Sequence, residues 1–213
     1  MSNDQLLNQE KETGRVEAFS DGVFAIAITL LVLNLKVPPV ESLSAGFGLM
    51  QALFAQWPAY LAFVLSFVNI LIMWVNHHYI FSHIRKADWP FFLLNGFLLL
   101  TVTFIPFPTS LLAEYIRTPF ASLATAVFTG SILLNCLSFN LLWAYASQGC
   151  RLLKKDVGEP VIKDIRRNGR IGLALYLLAI PLAFINIAFS LGICLGLAIF
   201  YAALGSLKRR GAS

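Results

Sequence analysis

Residues Arg15 to Pro38 read RVEAFSDGVFAIAITLLVLNLKVP. Their apolar part is about twenty residues long, the length one helix needs to cross a bilayer core. Glu17 and Asp21 are the only carboxylates of the chain that fall within an apolar span. A carboxylate at that depth is expensive unless it finds a partner or water, so it marks a functional site by default. The rest of the sequence reads as a helical bundle assembled around this stretch.

At about 100° per residue, Phe19, Val23, Ile26, Leu30, Leu33 and Val37 form one stripe. Thr29 lies at its margin, and Asp21 points roughly 140° away from Ile26. The helix therefore has a smooth aliphatic face and a separate polar foothold near its N-terminal end. Such stripes ordinarily pack against neighbouring helices or lipid. Lining a path between subunits is the alternative, and periodicity does not choose between the two.

Of the 213 residues, 58% are hydrophobic and 13% charged, and the mean hydropathy is +0.73. A water-soluble domain could not hide so many long apolar runs, so the chain is an all-α integral membrane protein. Six spans are expected, roughly at 16–37, 58–84, 90–113, 119–147, 170–188 and 190–207. Residues 1–14 read as a mobile cytoplasmic tail, 15–207 as the six-helix transmembrane domain and 208–213 as a basic cytoplasmic tail. The polar opening and the length of the following apolar run do not fit a cleavable signal peptide.

Charge sets the orientation. With the N-terminus in the cytoplasm and six spans threaded, only Lys36 and Arg117 of the 16 basic residues fall outside. That asymmetry is what the positive-inside rule demands of an even span count, and it places the chain as a multi-pass protein with both termini cytoplasmic. The pI near 9.3 therefore calls for no nucleic-acid partner. The basic segment RLLKKDVGEPVIKDIRRNGR reads as a cytoplasmic loop facing anionic lipid headgroups. Cys136, Cys150 and Cys194 are far apart, which implies neither a disulfide framework nor a metal site.

After Pro38-Pro39, ESLSAGFGLMQALFAQW suggests an external half-helix leading to Pro58, which can open the next helix. The second span ends with His77, His78 and His83. No metal-ligand spacing accompanies them, and His77 or His78 is instead expected to hydrogen-bond Asp21 or Ser20. In the third span, Pro106-Phe107-Pro108 frees backbone carbonyls and bends the helix. The fourth carries Gly130, Ser131, Asn135, Ser138 and Asn140, a small polar face suited to close packing. Pro181 kinks the fifth, and Ser190-Leu191-Gly192 turns tightly into the sixth.

Arg15-x-x-x-Phe19-Ser20-Asp21-Gly22, with the aliphatic helix that follows to Lys36-Val37-Pro38, resembles the first helix of the transmembrane protein 175 family. Trp74-Val75-Asn76-His77-His78 and Phe104-Ile105-Pro106-Phe107-Pro108 fit the same pattern. These are endosomal and lysosomal potassium-leak channels and their prokaryotic relatives. The resemblance implies a single-repeat, prokaryotic plasma-membrane form whose first helices line a central pore in a homotetramer. It implies Ile26 as the tightest ring, with Leu30 and Leu33 following outward as further rings. Thr29 is then an ion-selectivity candidate. Arg15, Phe19, Ser20, Asp21, Trp74, Asn76, His77 and His78 are implied to form a polar network that holds the pore helix from its cytoplasmic end.

No T-V-G-Y-G run is present, so a pore here has no carbonyl filter of the ordinary potassium-channel type. Stacked aliphatic rings act instead as a hydrophobic gate, excluding water when narrow and passing partly hydrated ions when wider. The expected function is a leak-type, potassium-permeable cation channel without a cofactor, passing potassium and other monovalent cations or protons. The competing reading is a proton-coupled secondary transporter that uses Asp21 with His77 or His78 as a relay. An enzyme is not expected, since no histidine has a paired nucleophile or metal constellation.

Overall fold

The computed structural model describes residues 3–40 and 48–210, with side chains described for 13–40 and 48–203. Within these residues the chain forms eight α-helices. They are α1 (Asn3–Leu30), α2 (Gly48–Ala55), α3 (Trp57–Phe81), α4 (Trp89–Phe104), α5 (Pro106–Tyr115), α6 (Ala121–Ala146), α7 (Glu159–Ile185) and α8 (Ile187–Arg210). Five stretches are long and apolar enough to cross a membrane: Thr13–Asn34, Trp57–Phe81, Trp89–Tyr115, Ala121–Ala146 and Glu159–Ile185. Ile187–Ala203 is a shorter apolar helix beside them.

Several boundaries differ from those read off the sequence. Helix α1 begins at Asn3, so residues 3–14 continue the first helix rather than form a separate tail. Its last turn tightens into a 3₁₀ segment at Leu31–Asn34, and the backbone turns extended at Leu35. The half-helix before Pro58 is present as α2, while its expected start at residues 41–47 lies outside the described residues. The third span is two helices: α4 ends at Phe104 and α5 starts at Pro106. Proline opens α5 because its missing N–H is not needed in a first turn.

The largest shift concerns the basic segment after α6. Its second half is not loop, because α7 already begins at Glu159, with Pro160 in its first turn. The charges occupy the exposed side of that turn-on region, with Lys163 paired to Glu159 at 2.9 Å and Arg167 to Asp164 at 3.0 Å. Gly149 and Cys150 take positive φ between α6 and α7, a conformation that glycine adopts without a steric cost. The hairpin between the last two helices turns at Asn186, four residues before Ser190. There the Ala188 N–H donates to Asn186 Oδ1 at 2.8 Å, capping α8.

Packing is densest where side chains are smallest. On α6, Ala124, Thr125, Ala126, Thr129, Ser131, Asn135 and Ser138 are buried, and α7 answers with Gly172, Ala179 and Ala183. In lipid, hydrocarbon burial gives little drive for helix association, so close approach of small residues and shared hydrogen bonds carry it. Asn135 accordingly donates to Thr101 Oγ1 at 3.1 Å, tying α6 to α4. The polar face read in the fourth span is thus a packing face.

Candidate functional site

Helix α1 is held on one side only. Ser20, Phe24, Ala27 and Leu31 are fully buried against α3 and α4, at spacings of four, three and four. The opposite stripe stands open: Phe19 is 66% exposed, Ile26 59%, Leu30 44% and Leu33 72%. These belong to the stripe that periodicity picked out; its remaining member on α1, Val23, is half-buried and packs against the core. Thr29 is also exposed, and its hydroxyl donates to the Ile26 carbonyl at 2.9 Å. The proton of that hydroxyl is spent on the helix while the oxygen lone pairs remain available.

The polar foothold is a network of three separate links. His77 Nε2 lies 2.9 Å from Asn95 Oδ1 and donates to it. Asn95 Nδ2 donates to Ser20 Oγ at 3.0 Å, and Ser20 passes its own proton to the Val16 carbonyl at 2.8 Å. This relay is buried and fastens α3, α4 and α1 together. Rings enclose His77, with Phe81 stacked at 4.2 Å and Phe24 at 5.3 Å. In a dry, low-dielectric position each such bond matters chiefly because leaving a partner unmade is costly.

The two carboxylates have different partners from each other. Trp74 Nε1 donates to Asp21 Oδ1 at 2.8 Å. His78 Nδ1 sits 2.8 Å from Glu17 Oε1. One helical turn forward on α1 matches one turn back on α3, so the two rungs mark antiparallel neighbours. The expectation that a histidine would serve Asp21 or Ser20 is met indirectly: His77 reaches Ser20 through Asn95, and tryptophan takes Asp21. Arg15 lies beside the network without a hydrogen bond to it, lining a groove with Phe19, Phe92 and Asn95.

Asn76 does not belong with these residues. It lies about 160° around α3 from Trp74 and lines a cavity that extends around that helix as far as His78. Asn95 and Glu17 take its place, and Asn95 is the residue that sequence reading missed. Its signal was a lone amide in the apolar run FFLLNGFLLL, where an unsatisfied side chain is expensive.

A second anchorage holds the far end of α1. Asn34 Nδ2 donates to the Pro106 carbonyl at 3.4 Å, and Ser110 Oγ donates to Asn34 Oδ1. Lys36 pairs with Glu114 at 3.3 Å. The start of α5 thus catches the end of the first helix through the Pro106 carbonyl and the Ser110 hydroxyl. A cavity of about 770 Å³ opens there, with Leu33, Lys36, Phe107, Glu114 and Arg117 in its wall.

A family model described as "Endosomal/lysosomal potassium channel TMEM175" matches residues 15–106. A potassium channel of Chamaesiphon minutus is 50% identical over 194 residues, covering 91% of this chain and 95% of that protein. A potassium channel of Streptomyces collinus is 43% identical over 191 residues, covering 89% and 91%. The crystal structure of a lysosomal potassium-selective channel TMEM175 homolog from Chamaesiphon minutus superposes with a TM-score of 0.83 at 48% identity, over 92% of this chain and 98% of that one. An α1 pinned on one face by the Ser20–Asn95–His77 relay and bare on the other thus sits in a chain that belongs to the TMEM175 family.

Proposed function

We propose that the protein is a potassium-permeable, leak-type cation channel in which four copies surround a central path lined by α1. The observation that carries this is the bare stripe of α1. One helix cannot enclose a path, and a face shared around a closed cyclic axis is the usual way for identical chains to bury it. Ile26 then forms the narrowest ring, with Leu30 and Leu33 above it. The Thr29 oxygen, with its proton turned into the helix, presents lone pairs to a passing cation.

The polar groups act as positioning residues. Asp21, Glu17, His77 and His78 are engaged by α3 and α4, off the stripe, so they set the angle of α1 and do not touch the ion. This favours a channel over the proton-coupled carrier, which would need Asp21 and a histidine facing a common aqueous path. Permeation needs no cofactor. The basic residues put both termini in the cytoplasm of the plasma membrane, with Lys36 and Arg117 on the outer face. Reconstituted protein is expected to give resolvable unitary potassium currents; saturable flux without unitary events would support the carrier.

A further inference from the structure

A cavity of about 400 Å³ lies between α3, α6, α7 and α8, and no described residue of α1, α4 or α5 lines it. Its volume falls in the range of small-molecule sites. Its wall residues that can form hydrogen bonds through uncharged groups include Asn69, Asn76, Asn140, Asn168, Tyr176 and Tyr201. No lysine, arginine, aspartate or glutamate is among them. The one titratable imidazole in the wall, His78, is engaged by Glu17. A charged head group therefore finds no free opposite charge among the described lining residues, and burying it there is costly.

Two of these side chains are already committed. Asn140 Nδ2 donates to the Cys136 carbonyl at 2.8 Å and to the Gly169 carbonyl at 3.4 Å. The Tyr201 hydroxyl donates to the Asn168 carbonyl at 2.8 Å. Both reach α7 because it has glycine where they approach: a Cβ at Gly169 would collide with Asn140, and one at Gly172 with Tyr201. Asn69 differs. Its Oδ1 is buried in the cavity wall and has no partner. Beside it, Ile132, Phe139 and Ile165 supply an apolar lining.

We propose that this cavity binds an uncharged amphiphile from the bilayer, its hydroxyl meeting Asn69 and its hydrocarbon lying along Ile132, Phe139 and Ile165. A hydroxyl both donates and accepts, so it satisfies the Asn69 amide in either orientation of that group. The wall includes His78, whose ring pairs with Glu17 of α1, so the site abuts the network that positions the first helix.

The test uses the full chain in phosphatidylcholine liposomes with a diazirine-bearing octanol as photolabel. Saturable labelling is expected on peptides of α3, α6 or α7, and octanol is expected to displace it at least roughly tenfold better than octane or octanoate. Asn69→Leu, close in size, removes the preference for octanol over octane. Ile132→Phe, which fills the cavity, abolishes labelling. Because Ile132 is a core residue, the Asn69→Leu comparison stands if that second variant fails to fold. Non-saturable labelling spread over exposed positions such as Leu177 and Ile199 overturns the proposal. So does equal competition by octane in the unaltered protein, or stronger competition by octanoate.

Discussion

Helices α1 and α6 are both long and apolar, yet they have opposite fates. The more hydrophobic of the two is the less buried: 22% of the apolar window of α1 is buried, against 50% for α6. In water this would be paradoxical. In a membrane, hydrophobicity takes a helix into the bilayer but does not say which helix forms the bundle's centre. Small and hydroxylated residues make that choice, so α6 is the structural hub and α1 is left with a free face.

Each side of this comparison can be broken separately. Leu142→Ala on α6, at a fully buried site, is expected to cost about 2–5 kcal/mol through the cavity it leaves. Leu30→Ala on α1 should leave the thermal unfolding temperature in detergent nearly unchanged. An equal loss at both positions would show that the α1 stripe is packed in the same way as the core.

The next largest effect is expected at the relay. Asn95→Leu leaves the buried His77 Nε2 without its acceptor, at about 1–3 kcal/mol. It also removes a donor from Ser20, whose own proton still goes to the Val16 carbonyl. Thermal unfolding should fall accordingly, while Asn95→Gln recovers part of the loss. Asp21→Ala is expected to lower the yield of assembled oligomer in size-exclusion chromatography more than it changes the potassium-to-sodium flux ratio. A fully assembled variant with altered ion preference would place Asp21 in the path. The smallest effect belongs to Lys36→Gln. The Lys36–Glu114 pair is exposed on both sides, and pairs of that kind contribute at most about 1 kcal/mol.

The all-helical, membrane-spanning character of the chain and the polar end of α1 were legible in the sequence because both rest on strong penalties: a long apolar run has few places to be, and a buried acid must be paired. Of the six expected spans, five are long and apolar enough to cross a membrane and the sixth is a shorter apolar helix. Face assignment was not legible. The stripe of Ile26 and Leu30 and the stripe of Phe24, Ala27 and Leu31 are both apolar, and only the partners on α3 and α4 distinguish them. The placing of Asn76 in the network failed for a simpler reason: it lies about 160° around α3 from Trp74, whereas His77 and His78 lie within about 60° of that residue. The early start of α7 escaped because charged residues on an amphipathic first turn look like loop in composition.

Thiol accessibility along α1 tests the shared path most directly. In a Cys150→Ser background, which removes the exposed native cysteine, Ile26→Cys or Leu30→Cys should react with a charged, water-soluble thiol reagent. That reaction should block potassium flux in proteoliposomes, while Phe24→Cys on the packed face stays unreactive. Unreactive thiols at both Ile26 and Leu30, with flux intact, would put the stripe in lipid and contradict a pore lined by the first helix.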